Sequence, residues 1–80
     1  MRLSEAIIQR IYQLCDERSI TVNKASDISG ITQSTVSDIV NGVTKKPTVS
    51  TIKKLCDGFD ISIRDFFNSD LFDDLEQEGK

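Results

Sequence analysis

The stretch Gly30-Ile31-Thr32-Gln33-Ser34-Thr35-Val36-Ser37-Asp38-Ile39-Val40-Asn41-Gly42 decides how the rest of the chain is read. A glycine at each end marks a stop, because glycine adopts the left-handed backbone that closes helices at no Cβ cost. Thr32 offers a capping hydroxyl between them, so the spacing predicts a short helix from Gln33 to about Val40, ending at Asn41-Gly42. Val36 and Ile39, with Ile31 just ahead, are placed to lock that helix onto a core. Gln33, Ser34, Ser37 and Asp38 then fall on its outward face.

Upstream, Thr21 repeats the capping signal and predicts a helix that Gly30 closes. Leu3, Ile7, Ile8, Ile11, Leu14 and Cys15 recur at three- and four-residue spacing, the stripe of an amphipathic helix from about Ser4 to Arg18. Downstream, Val43-Thr44-Lys45-Lys46-Pro47 reads as a loop, since proline cannot continue a helix and holds Lys46 extended. Thr48 caps a fourth helix with Val49, Ile52, Leu55 and Cys56 on one face, ending at Asp57-Gly58 with Phe59 just beyond. Ser62-Ile63-Arg64-Asp65 has the form of a capping box and opens a fifth, short helix bearing Phe66 and Phe67. No alternating strand pattern, repeat or interdomain linker interrupts this series. The fold class is therefore all-α, with five helices in succession. Within it, two helices joined by a few residues around a glycine have helix-turn-helix geometry, and Ser26 is small enough for their close crossing.

Composition narrows the chemistry. The 80 residues are 38% hydrophobic and 29% charged, a globular balance in a chain large enough for one small domain. No apolar run nears the roughly 18 residues of a membrane helix, and the N-terminus turns charged before a signal-peptide core forms, so a cytoplasmic protein is expected, with no membrane partner. Histidine is absent, which removes the commonest general base and metal ligand. Cys15 and Cys56 lie far apart with no CxxC pair, and read as buried thiols. No enzyme, metal site, cofactor or small-molecule ligand is indicated.

Net charge is −3, but its distribution is uneven. Residues 1–69 carry nine Lys or Arg against eight Asp or Glu, whereas residues 70–80 carry five acids against Lys80. Between Asp38 and Asp57 there is no acid, while Lys45, Lys46, Lys53 and Lys54 all fall there. Such a basic strip on a nearly neutral body can bind phosphate, because screening confines charge effects to roughly 8–10 Å.

Residues 20–67, ITVNKASDISGITQSTVSDIVNGVTKKPTVSTIKKLCDGFDISIRDFF, resemble the phage Cro/repressor-type, or Xre-like, helix-turn-helix domain. Gly30 to Ser37 match its turn and recognition helix, Asn41-Gly42 through Lys46-Pro47 match its following loop, and LCDGFDISIRDFF matches its closing pair of helices. With the first helix, the likeness spans roughly residues 3–68. It implies a lambda-repressor-like five-helix bundle at 1–68 that binds duplex DNA, usually as a homodimer, followed by an acidic tail at 69–80.

The resemblance places Gln33 where the family often reads a base edge, and glutamine pairs bidentately with adenine N6 and N7. Ser34, Ser37 and Asp38 occupy neighbouring base-reading positions. For Asp38 two roles stand side by side, acceptance from cytosine N4 or a charge left on the solvated face. Thr21 and Thr32, with the N–H groups they cap, suit phosphate docking, and Asn41, Thr44, Lys45 and Lys46 are expected to add loop contacts. The plain alternative for the lysine pair is a solubilising loop. The chain departs from the common pattern at Val22, where a glutamine is frequent, at Ala25, where a large aliphatic is usual, and at Ile28, apolar where polar residues are common. Val22 removes one expected phosphate contact, and Ile28 suits either core or a partner surface.

In the tail, Leu71, Phe72 and Leu75 would share one face of a sixth short helix. They serve either dimerisation, which pairs half-sites roughly 34 Å apart on an inverted repeat, or cover for the protein's own core. The functional expectation is a sequence-specific, double-stranded DNA-binding regulator acting as a repressor. The alternative is a protein-interaction module of the same fold, an antitoxin-like subunit.

Overall fold

The computed structural model describes residues 1–43 and 47–79. Five α-helices follow in order, α1 (Leu3–Glu17), α2 (Val22–Ser29), α3 (Gln33–Val40), α4 (Val49–Phe59) and α5 (Ile63–Phe67), and then a single 3-10 turn, Asp70–Phe72. There is no strand among the described residues. The molecule is all-α, as the capping signals imply.

Those signals act locally, which is why they place the starts so well. The hydroxyls of Thr21, Thr32, Thr48 and Ser62 accept from the backbone N–H groups of Lys24, Thr35, Thr51 and Asp65, satisfying donors that a helix leaves orphaned. α2 is closed by Gly30 at φ 68°, where Ile31 N–H donates to the Ser26 carbonyl at 3.1 Å. α1 begins one residue before the expected Ser4, with the Arg2 N–H donating to Glu5 at 3.0 Å.

Two expectations about α4 are corrected. It does not end at Asp57-Gly58: it runs through Phe59 and closes at Asp60, which takes the left-handed conformation at φ 59°. Phe59 thus lies inside the last turn and is buried. Val49 does not join the apolar face: it is the first residue of α4 and is 70% exposed.

The core gathers Ile7, Ile11, Leu14 and Cys15 of α1, Ala25 of α2, Ile39 of α3, Ile52, Leu55, Cys56 and Phe59 of α4, and Phe66 of α5. Val36 of α3 is also fully buried. Burial pushes both thiol pKa values up, reinforced by Asp16 beside Cys15 and by Asp57 beside Cys56. Both side chains are therefore held protonated and act as small hydrophobes.

Long-range polar clasps join the outer helices. Arg10 of α1 donates to the carbonyls of Phe66 at 2.7 Å and Asp65 at 2.9 Å, the latter also accepting from Asn68 N–H at 3.2 Å, and so satisfies acceptors at the end of α5. Arg18 donates to the Phe59 carbonyl at 2.9 Å while its guanidinium lies 5.2 Å from the ring centroid of that residue. Among its described residues the tail forms no α-helix. Its 3-10 turn packs on α1 and brings Phe72 against Phe66 and Phe67, with centroids 6.3 and 4.9 Å apart. Phe72 thus covers the protein's own core, and Glu76 N–H donates to the Met1 carbonyl at 3.1 Å.

Candidate nucleic-acid interface

The apolar spacing of α3 dictates which of its sides is free. Val36 and Ile39 are buried and Val40 is half-buried against the core, so the opposite side faces solvent. Gln33, Ser34 and Asp38 are exposed there, Asn41 is exposed just past the last turn, and Ser37 is half-buried. The structure brings these five residues together on one polar ridge.

Hydrogen bonds along the ridge are local. Asn41 Nδ2 donates to Ser37 Oγ at 3.0 Å, which fixes the amide of one and occupies an acceptor lone pair of the other. At the N-terminal end, Thr32 Oγ1 accepts from Thr35 N–H at 3.3 Å and lies 2.8 Å from Thr35 Oγ1 and 3.4 Å from Ser34 Oγ. The result is a cluster of three exposed hydroxyls at the positive end of a helix. Thr35 belongs to this cluster and was missed in the reading of the sequence. Its position three residues after the capping Thr32 was the available signal.

The far end of α3 is closed by Gly42 at φ 78°, with Gly42 N–H donating to Ile39 at 3.1 Å and Val43 N–H to Asp38 at 2.8 Å. Val43, 71% exposed, stands at the mouth of the following loop. The expected contacts at Thr44, Lys45 and Lys46 lie outside the described residues. Thr21 is exposed at the start of α2, its hydroxyl 3.1 Å from the Lys24 N–H, and Lys24 itself is exposed. Of the α4 lysines, Lys53 pairs with Asp57 one turn on, while Lys54 is exposed.

Among the departures from the common pattern, Ala25 is fully buried and Val22 packs on the core, whereas Ile28 is 41% exposed and belongs to the surface. No group of metal-ligating side chains is found among the described residues. No helix is long and apolar enough to cross a membrane among them.

Comparison with known proteins agrees with this geometry. A family model described as helix-turn-helix matches residues 11–66. No curated protein gives a match. Among solved structures, the chain is similar to the prophage Lp1 protein 11, with a TM-score of 0.80 and 30% sequence identity over 94% of this chain and 100% of that one. The chain belongs to the helix-turn-helix family of the phage Cro/repressor, or Xre-like, type.

Proposed function

We propose that this protein is a sequence-specific double-stranded DNA-binding regulator that lays α3 in the major groove and represses transcription inside the cell. The observation that carries the reading is the exposed polar ridge of α3, backed on its hidden side by Val36 and Ile39. A rigid helix with short polar side chains fits a groove about 12 Å wide. Gln33 is the residue assigned to adenine, with Ser34, Ser37 and Asp38 beside it. Thr21, Thr32 and Asn41, together with Thr44, Lys45 and Lys46, are assigned to phosphates that fix the register.

One short reading helix covers few base pairs, so a homodimer on an inverted repeat completes the proposal. Ile63 and Phe67, four residues apart on α5 and each 36% exposed, are an apolar surface compatible with such pairing. The second reading, an antitoxin-like protein-interaction module, draws on the acidic net charge and on the apolar residues Leu71, Phe72 and Leu75 of the tail.

Selection of bound duplexes from a random pool, followed by titration at several salt concentrations, separates the two. A recovered inverted repeat with salt-dependent affinity is expected for the regulator. Replacing Lys45 and Lys46 together by alanine should weaken binding to every sequence and flatten its salt dependence. Gln33→Ala should instead erode discrimination at one base pair, by about 1–3 kcal/mol. Affinities that are equal and independent of salt for the wild type and both variants leave only the interaction module.

A further inference from the structure

α2 packs more extensively against α4 than against any other helix, so α4 is the bed on which the first helix of the helix-turn-helix unit rests. At one point in this contact the two backbones come unusually close. A Cβ placed on Gly58 of α4 would overlap Ser29 Oγ outright and lie 3.0 Å from both the Cα and the backbone nitrogen of Ser29. Gly58 does not have a positive φ, so its lack of a side chain answers to space and not to backbone conformation. Ser29 Oγ in turn is buried with no hydrogen-bond partner. A buried hydroxyl without a partner is unfavourable, yet here it fills the notch that glycine leaves.

Ser29 is the last residue of α2, immediately before Gly30. Beyond it the chain has little slack. Gly30 N–H is bonded to Asp27 and Ile31 N–H to Ser26, Ile31 packs on the core, and Thr32 already caps α3. A displacement of Ser29 therefore passes through two tied residues directly into the start of α3, where Gln33 sits.

We infer that Ser29 and Gly58 form a matched seat which sets the inclination of α3, making Gly58 a positioning residue for the reading helix although it lies on a different helix. The consequence for DNA rests on the proposed function, while the seat itself is a property of the fold. A side chain at 58 drives the end of α2 away from α4. Trimming Ser29 to alanine removes the largest overlap and keeps the 3.0 Å backbone contacts, which need a shift of a few tenths of an ångström.

The test uses the full chain as wild type, Gly58→Ala, Ser29→Ala and the double variant. Residual dipolar couplings give the orientation of α3 relative to α1, and thermal unfolding is followed beside them. Gly58→Ala is expected to lower the Tm and rotate α3, Ser29→Ala to leave the orientation unchanged, and the double variant to return most of the way to it. If Gly58→Ala does not fold, a folded double variant with near-native couplings is the same rescue. Couplings in Gly58→Ala that fit the wild-type orientation overturn the proposal, as does a double variant no better than Gly58→Ala, folded or not. On the duplex recovered by selection, Gly58→Ala should lose about tenfold in specific affinity while non-specific binding stays within about twofold, because groove readout tolerates only small misplacement. If the wild type binds no duplex while the couplings behave as expected, the functional reading alone fails.

Discussion

The two sides of the molecule are held by different means. Around α1, α5 and the tail, distant residues clasp one another, Arg10 reaching across 56 positions to Phe66 and Arg18 across 41 to Phe59, while Phe72 of the tail folds back over Phe66 and Phe67. Among the described residues, the side-chain hydrogen bonds of the α3 ridge join near neighbours, Thr32 with Ser34 and Thr35, and Asn41 with Ser37. Burial and long-range bonds thus secure the scaffold, and the solvent side of α3 is left with side chains the fold does not need. Substitution on the first side should act on stability, and on the second it should act on binding.

The sharpest break in that contrast comes from Phe66, fully buried at the junction of α5 and the tail. Phe66→Ala should cost about 3–5 kcal/mol, read by denaturant unfolding, which is a large share of the stability of so small a domain. Arg10→Ala comes next, because it takes the arginine donor from the part-buried Phe66 carbonyl and leaves that of Asp65 with the Asn68 N–H. A loss of about 1–3 kcal/mol is expected in the same assay. Thr32→Ala sits on the border between the two regions. It removes a helix cap, for about 1 kcal/mol of stability, and should also weaken DNA binding by more than that loss explains, which paired unfolding and titration curves would reveal. Gln33→Ala should have the smallest effect on folding, within about 0.5 kcal/mol, while changing discrimination. Were Gln33→Ala to destabilise the fold as much as Arg10→Ala does, the division between scaffold and ridge would be gone.

What was legible in the sequence follows the same line. Helix starts at Thr21, Thr32, Thr48 and Ser62 depend on a hydroxyl and an N–H three residues away, so they can be read from a short window. The polar ridge of α3 follows equally from the spacing of Val36 and Ile39. What could not be read depends on neighbours in space. Gly58 looks like a helix stop because most glycines in that setting are, but its surroundings are Ser29 and α2, and the stop falls at Asp60. Val49 has the right period for the core but, as the first residue of α4, stays exposed. The tail has helical spacing at Leu71, Phe72 and Leu75, yet Phe72 is drawn to the aromatic pair on α5 after one 3-10 turn. Ser26, small as a close helix crossing requires, is fully buried, while the notch on α4 opposite Ser29 has no local signal at all.

The most direct test of the central claim is to titrate isotope-labelled protein with the selected duplex and follow each backbone amide by NMR. The largest shifts are expected at Gln33, Ser34, Ser37 and Asp38, with flanking changes at Thr21 and Thr32 and little movement at Leu14 or Phe66. Shifts concentrated on Ile63, Phe67 and the acidic tail, with the α3 ridge unmoved, would contradict it.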